Sequence, residues 1–241
     1  VRSLSAFNAE GVKVLKDISF NIYSGEILGV AGIANSGQKE LCESIAGLYP
    51  VKQGQVIFEG ENIIGKSPYE IIARGISMSF IPEDRLGMGL VASMDIVDNV
   101  VLKLYQRQKG IFINRKPAEQ KSLEIIERLS IQTPGIKHPV RKLSGGNIQK
   151  VLLGRELDSK PQVLITAYPV RGLDVNSCYT IYDILNEEKR GNHYDSKFYL
   201  GCNDQSSVLS GKNLRSSQYT KKKYKSSQGL NSIYSIPIFI T

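Results

Sequence analysis

Two glycines with four residues between them, Gly32 and Gly37, follow an apolar run and precede a predicted helix. Such a loop can bind phosphate, because the first N–H groups of a helix are free and carry partial positive charge. Both glycines fit the pattern Gly-x4-Gly-Lys-[Ser/Thr], but Gln38 replaces the lysine that grips phosphate and Lys39 replaces the hydroxyl that binds Mg²⁺. The predicted phosphate-binding residues are Gly32, Asn35, Ser36, Gly37, Gln38 and Lys39.

Lys39 does not stand in for the missing lysine, because one step along a helix rotates a side chain by about 100°. Loss of a charge-assisted hydrogen bond of roughly 1.5–3 kcal/mol weakens triphosphate binding by about one to two decades. A plain strand-to-helix turn explains the loop equally well. The loop alone therefore does not establish a nucleotide site.

A serine and two glycines open a second predicted helix, in Leu-Ser-Gly-Gly-Asn-Ile-Gln-Lys at 143–150. A serine hydroxyl and glycine N–H groups at a helix N-terminus suit a phosphate whose negative charge is spread over several oxygens. The apolar run at 163–167 follows and leads directly into Pro-Val-Arg-Gly-Leu-Asp at 169–174. The order of these segments carries more information than any one of them.

The elements that position these segments alternate between strands and helices from about residue 12 to residue 186, which predicts an α/β domain. Leu123, Ile126 and Leu129 have helical spacing and are expected to form one core-facing stripe. Strands are predicted at 12–22, 25–32, 54–60, 76–81 and 163–167, and helices at 39–46, 117–131 and after residue 150.

Composition excludes several classes of protein. No apolar run approaches the roughly 18 residues of a membrane span. The three cysteines, Cys42, Cys178 and Cys202, form no Cys-x-x-Cys pair, and His138 and His193 are the two histidines. A structural zinc site, a disulfide scaffold and a Ser-His-Asp hydrolase therefore lack their residues, and we expect no metal site. The first residues contain neither an initiator Met nor a signal peptide, so we expect a piece of a longer, non-secreted protein.

The net charge of +8 is concentrated near the end of the chain. Residues 1–186 hold 22 Lys and Arg against 19 Asp and Glu, whereas residues 187–241 hold 9 against 4. The region 191–241 is basic, rich in Ser, Lys, Tyr and Asn, and without clear periodicity, so we expect it to be poorly ordered. Runs of this kind are usually solvated, and no specific nucleic-acid partner is expected.

The segments and their order resemble the ATP-binding domain of ABC transporters, and more specifically the second, degenerate ATP-binding domain of simple-sugar and nucleoside importers. The likeness covers about residues 1–190, with a helical subdomain at about 90–155, and implies an α/β, P-loop NTPase-like fold with a core sheet, an antiparallel β subdomain and an α-helical signature subdomain. The segments that carry it are 14–20, 32–41, 57–63, 81–91, 143–147 and 169–175.

The departures from the family pattern predict a defective site. The resemblance implies an Asp that holds Mg²⁺ and a Glu that polarises water, but those positions contain Ala167 and Tyr168. No catalytic residue is therefore intact. The family's switch histidine would follow a strand near residue 200, and residues 198–204 contain none. The likeness stops abruptly after Arg190, which suggests a frameshift that the two other reading frames of the source DNA would reveal.

The resemblance implies a head-to-tail pair of domains in which each ATP lies between the phosphate loop of one domain and the signature of the other. Here the signature residues are Leu143, Ser144, Gly145, Gly146, Asn147 and Gln149. They are expected to complete the site of an intact partner, whereas this chain's own ATP and Mg²⁺ site is weak or silent. Asp174 is expected to bridge the two domains, or else to cap the following helix.

The implied partners are a second ATP-binding domain, a multi-span permease and, indirectly, an extracellular binding protein. Glu83, Asp84 and Arg85 are expected near the permease, although Glu83 and Arg85 pairing at the surface is the structural alternative. The expected location is the cytoplasmic face of the plasma membrane. Two other functions stay open: a soluble non-transport ATPase of the same family, and a regulatory module that does not hydrolyse ATP.

Overall fold

A computed structural model of the 241-residue chain gives an α/β architecture with three sheets and six helices among the residues that it describes. The described residues are 1–23, 26–31, 36–73, 78–82, 84–105, 108, 112–170, 172–190, 198–203 and 238–240. The strands are β1 (Arg2–Phe7), β2 (Lys13–Ile18), β3 (Glu26–Ala31), β4 (Val51–Gln55), β5 (Ile57–Phe58), β6 (Glu61–Asn62), β7 (Met78–Ile81), β8 (Val163–Ala167), β9 (Phe198–Asn203) and β10 (Ile238–Ile240). The helices are α1 (Gln38–Ile45), α2 (Pro68–Ala73), α3 (Ile96–Leu104), α4 (Lys116–Arg128), α5 (Gly145–Asp158) and α6 (Val175–Arg190).

The central sheet has the order β10-β3-β9-β8-β7. Strands β3, β9, β8 and β7 are parallel, and β10 pairs antiparallel with β3. All five residues of β8 are buried, as expected for a strand that is covered on both faces. This sheet brings the carboxyl ends of β3 and β8, and hence Ala31 and Ala167, to the same end of the sheet.

Two strands lie where the sequence predicts a poorly ordered region. Strand β9 pairs with both β3 and β8, with Leu200 in register with Leu28 on one side and Ile165 on the other. The run Phe-Tyr-Leu favours extended backbone, but six residues without alternation do not predict a strand in the middle of a sheet. Residues 198–203 and 238–240 thus form strands that the sequence pattern does not predict. Most of 191–241 lies outside the described residues, so the expected poor order of that region stays a prediction.

A separate antiparallel sheet, in the order β2-β1-β4, forms the β subdomain, and the hairpin β5-β6 follows it. Strand β1 was not predicted, because Ser3 and Ser5 break its apolar character. Leu4 and Ala6 of β1 are nevertheless fully buried. The predicted strand at 54–60 is split in the structure between β4 and β5.

A helical subdomain is built from α3, α4 and α5 around the larger of two apolar clusters. Its core includes Val97, Val100, Leu129, Leu152 and Leu153. The helix predicted at 117–131 is present as α4, but Leu123 is 56% exposed, so its predicted place in the core is wrong. The buried face is instead Ala118, Ser122, Ile125 and Leu129, because the helix is rotated to meet α5.

The core sheet, the β subdomain and the helical subdomain are the three parts that the resemblance implies, and this fold class is confirmed. No described helix has the length and apolar character needed to span a membrane.

Replacement of Leu152 by Ala is expected to lower the free energy of unfolding by about 2–5 kcal/mol, because it leaves a cavity in the larger cluster. Leu123→Ala is the matched control and is expected to change stability by less than about 0.5 kcal/mol, since that side chain is mostly exposed. Urea unfolding of both variants measures the difference. Equal losses would contradict the helix orientation described above.

Candidate functional site

The described end of the glycine loop is fixed by backbone geometry. Gly37 caps α1 with φ at 99°, and a Cβ there would lie 2.8 Å from the carbonyl oxygen of Val14. Glycine is therefore required for both conformation and space. Gly32 and Asn35 lie outside the described residues.

The side chains that follow Gly37 are engaged within the chain. Gln38 is buried, and its Oε1 accepts a hydrogen bond of 3.2 Å from Ser36 Oγ. Lys39 is half exposed, and its Nζ lies 3.8 Å from Glu43 Oε1. Burial raises the pKa of Glu43, and Lys39 opposes that shift. The Lys39 ammonium group thus lies near a carboxylate of its own helix.

The end of β8 offers no carboxylate. Ala167 and Tyr168 are 1% and 6% exposed, and both belong to the smaller apolar cluster. Tyr168 has φ at 54°, which is an uncommon conformation for a bulky residue. No group of three or more His, Cys, Asp or Glu among the described residues is arranged to hold a metal ion. The side chains at these two positions therefore do not fit Mg²⁺, which needs oxygen ligands.

A cleft of about 300 Å³ adjoins this edge of the sheet. It is lined by residues from α1, the ends of β7 and β8, and the following turn, namely Lys39, Glu43, Phe80, Asp84, Met88 and Ala167. The structure thus brings Lys39 of the predicted phosphate-binding residues, Ala167 of the predicted catalytic strand and the predicted coupling residue Asp84 to a single cleft. Its charged groups are one lysine and two carboxylates among those residues.

The predicted signature segment lies at the N-terminus of α5. Ser144 is the N-cap, is exposed, and accepts hydrogen bonds through Oγ from Asn147 N at 3.4 Å and Asn147 Nδ2 at 2.9 Å. Gly145 and Gly146 belong to the first turn, where the helix supplies no acceptor for N–H groups. Asn147 Oδ1 accepts from Gln132 N at 3.0 Å, which ties the segment to the loop after α4.

Leu143 packs against the larger cluster, and Gln149, a residue of α5, is buried. The segment therefore presents a hydroxyl and glycine backbone to solvent while its flanks are held in the core. This arrangement can receive an anion from outside the chain.

Asp174 caps α6. Its Oδ1 accepts from Ser177 N at 3.0 Å and its Oδ2 accepts from Ser177 Oγ at 2.7 Å. A Cβ on Gly146 would lie 2.8 Å from Ser177 Oγ, so this cap packs directly against the signature segment. Ser177 is not among the residues predicted from sequence, because the capping signal is the aspartate, which accepts from the N–H of the third helical residue whatever its side chain. The capping role of Asp174 is observed, and its bridging role stays a prediction.

A π-helical turn spans Arg85–Gly89, and Asp84 precedes it as the N-cap. Asp84 Oδ1 accepts from Leu86 N at 3.3 Å and from Gly87 N at 2.8 Å, so Asp84 caps this turn. Burial lowers the pKa of the Arg85 guanidinium. A Cβ on Gly145 would lie 3.6 Å from Arg85 Nη1, so the structure places Arg85 beside the signature. Glu83 lies outside the described residues.

Comparisons with known proteins identify the family. The family model for ABC transporters matches residues 15–169, which is more than half of the chain. The chain therefore belongs to the ABC transporter family, and the predicted resemblance is confirmed at that level.

Curated relatives give a finer picture. The chain is 39% identical over 189 residues to a xylose import ATP-binding protein of Moorella thermoacetica, covering 77% of this chain and 37% of that protein. It is 36% identical over 206 residues to a ribose import ATP-binding protein of Rubrobacter xylanophilus, covering 82% and 41%. A guanosine import ATP-binding protein of Bacillus subtilis is 33% identical over 193 residues, covering 78% and 37%. The chain thus spans about two fifths of these relatives.

Solved structures confirm the fold. A dimeric bacterial ABC transporter cassette superposes with a TM-score of 0.73 at 20% identity, covering 86% of this chain and 88% of that one. A post-hydrolysis dimeric cassette bound to ADP and phosphate gives a TM-score of 0.72 at 20% identity, with the same coverage.

We expect the Asp174 cap to make the free energy of unfolding depend on pH. The hydrogen bonds from Ser177 lower the pKa of Asp174, so its contribution to stability is present above the unfolded pKa and is lost as pH falls through the lower folded pKa. Asp174→Asn keeps a capping oxygen that does not titrate. We expect the free energy of unfolding of the wild type to fall more steeply with acidification than that of this variant. Parallel curves would show that the cap does not titrate as described.

Proposed function

We propose that this domain completes the ATP site of an intact partner cassette by contributing its signature segment, and that it contributes little hydrolysis at its own phosphate loop. The observation that carries the proposal is the exposed N-terminus of α5. Ser144 and Gly145 are exposed to solvent there, while nine of the ten residues from Ile148 to Leu157 are buried. A hydroxyl and free N–H groups held on a rigid helix are preorganised to stabilise the negative charge of a terminal phosphate.

The domain's own site supports a weak or silent role. Gln38 is neutral, Lys39 lies near Glu43, and the buried end of β8 carries Ala167 and Tyr168. Without a lysine on the phosphates and an acidic pair on the metal and water, bound ATP would be held loosely and hydrolysed slowly. Any stimulated hydrolysis would then take place at the phosphate loop of the partner.

The relatives favour an importer as the larger assembly. Each is described as an import ATP-binding protein, and more than half of each lies beyond the matched part, which leaves length for a second cassette. We therefore infer a head-to-tail pair of cassettes bound to a multi-span permease at the cytoplasmic face of the plasma membrane, with an extracellular binding protein acting indirectly. The cargo class is a simple sugar or a nucleoside.

Ser144→Ala tests the role of the signature. When this chain is mixed with an intact first cassette from the same operon, we expect it to stimulate ATP hydrolysis. Ser144→Ala and Gly145→Asp are expected to lower that stimulation by about tenfold or more, because each disturbs charge-assisted contacts to phosphate. Steady-state phosphate release measures the effect.

Ser67→Ala is the matched control. Ser67 precedes α2, and its Oγ accepts from Glu70 N at 3.2 Å, so its loss also removes a helix cap. Both serine variants should therefore lose a similar stability of about 1 kcal/mol, while only Ser144→Ala loses stimulation. Stimulation by a folded chain that survives Ser144→Ala would rule out the proposal. No stimulation, from a folded wild-type chain, would favour the regulatory module instead.

Restoring the loop tests the silent site. Gln38→Lys combined with Lys39→Ser recreates the Gly-Lys-Ser ending and is expected to raise ATP affinity by about one to two decades, because it returns a charge-assisted hydrogen bond to phosphate. Equilibrium binding of a fluorescent ATP analogue measures the change. Lys39→Ser alone is the control, since it removes the cation near Glu43 without adding one at position 38. Equal affinities for the two variants would mean that the lysine is not the missing element.

A further inference from the structure

A buried ionic cluster lies near the C-terminal end of α5. Arg155 and Glu156 are 8% and 0% exposed and are surrounded by the larger apolar cluster. Glu156 Oε1 accepts from Arg155 Nε at 3.0 Å and from Nη2 at 2.8 Å, while Glu156 Oε2 lies 2.7 Å from Lys103 Nζ of α3. Desolvation of buried charges offsets most of their attraction, so such a cluster is a poor source of stability. The main consequence of the cluster is therefore the geometry that it fixes.

The cluster joins α5 to the π-helical turn at Arg85–Gly89. Arg155 Nη2 also donates to the carbonyl oxygen of Gly89 at 2.7 Å, across 66 positions of sequence. A Cβ on Gly89 would lie 2.9 Å from Leu152 Cδ2, so the turn is in close contact with the helix. The planar guanidinium can donate to the carboxylate and to the carbonyl at once because its donors form a rigid fork. The last residue of the turn is thus fixed to α5.

The same turn reaches the signature at its other end. Gly145, Gln149, Leu152 and Glu156 follow each other at helical spacing and share one face of α5. Arg85 lies beside Gly145, and Gly89 lies beside Leu152 and Arg155. Through the long side chains of Arg85 and Arg155, the turn therefore contacts α5 at both Gly145 and Arg155, which are about 15 Å apart at 1.5 Å per residue.

The middle of this contact is not satisfied. Gln149 is 1% exposed, and neither its Nε2 nor its Oε1 has a hydrogen-bond partner in the described part of the chain. An unpaired buried amide is costly, and a different position of the turn that offers it a partner would recover that cost. Along this face of α5, hydrogen bonds are therefore made at Arg155 and missing at Gln149, which lies between Arg155 and the signature.

We propose that Arg155 is a positioning residue that anchors the Arg85–Gly89 turn to the signature helix and serves as the pivot about which the turn moves. A shift of the turn is passed to the Ser144 end of α5, and Gln149 gains a partner in the shifted state. This role rests on the proposed function, because Ser144 is the group whose orientation the pivot controls.

The anchor is tested on the full chain alone by hydrogen exchange. The amides of Leu86 to Leu90 are hydrogen bonded within the turn or to its Asp84 cap, so their exchange reports on it. Arg155→Lys keeps the charge but loses the fork, and we expect these amides to exchange about tenfold faster. If Arg155→Lys does not fold, Lys103→Met, which removes only the outer cation, is expected to give a smaller increase in the same amides.

Lys121→Met is the matched control. Lys121 of α4 pairs with Asp158, the last residue of α5, at 2.6 Å. Lys121 takes part in none of the contacts with the turn described above. It should leave the exchange of the turn unchanged. Unchanged exchange in folded Arg155→Lys, or equal acceleration by both variants, would overturn the anchor.

The pivot is tested with the intact partner cassette present. Arg155→Lys is expected to lower the kcat of stimulated ATP hydrolysis by about tenfold while KM for ATP stays within about twofold, since a mispositioned Ser144 weakens transition-state stabilisation. Gln149→Leu should raise the thermal unfolding midpoint and yet lower kcat, because it removes the unpaired amide that drives the shift. A merely structural role predicts that stability and kcat move together, and that outcome would overturn the pivot.

The two proposals fail differently. If Ser144→Ala leaves stimulation intact, the proposed function fails, whereas the exchange experiment still decides on the anchor without any partner. If Ser144→Ala abolishes stimulation but Arg155→Lys leaves kcat unchanged, the proposed function stands and the pivot fails.

Discussion

The burial of α5 is the constraint on which the rest of the structure depends. From Ile148 to Leu157 nine of its residues are buried, so the helix is packed on nearly every side by α3, α4, β7 and the turn before α3. A helix buried in this way moves only together with the core residues and the turn that pack against it. Within α5 only Gly145, next to the Ser144 cap, is exposed. Ser144 is therefore held in place by apolar packing that lies up to about 20 Å away.

The end of β8 and the helix α5 differ in the charge that they bury. At the end of β8, where the family resemblance implies two carboxylates, Ala167 and Tyr168 join the apolar core. At α5, Arg155 and Glu156 lie in the core. Arg155 donates to Glu156 Oε1 and to the carbonyl of Gly89, while Lys103 pairs with Glu156 Oε2. The chain thus carries apolar or aromatic side chains at the two predicted catalytic positions and charged side chains within α5.

Three helix and turn caps lie at or near the N-terminus of α5. Ser144, Asp174 and Asp84 each cap the element that follows, and each was proposed from sequence as a site residue. A cap fixes the direction in which a chain enters a helix, so these residues serve structure and site geometry together. The close approach of Gly146 to Ser177 binds two of these caps into one surface, with Arg85 beside Gly145. A substitution in this surface therefore needs a control that separates lost stability from lost chemistry.

Local patterns determined much of this protein. The predicted strand at 163–167 matches β8, and the helix after Gly37 matches α1 within a residue, because spacing and glycine punctuation act within a few residues. The order of the glycine loop, the signature and Gly-Leu-Asp likewise predicted the family. Tertiary structure decided the rest. Leu123 faces solvent and β9 enters the central sheet because partners distant in sequence select those arrangements, and the contact of Arg155 with Gly89 joins residues 66 positions apart. No periodicity within one segment records a contact of that range, since burial depends on what other segments bring to the same place.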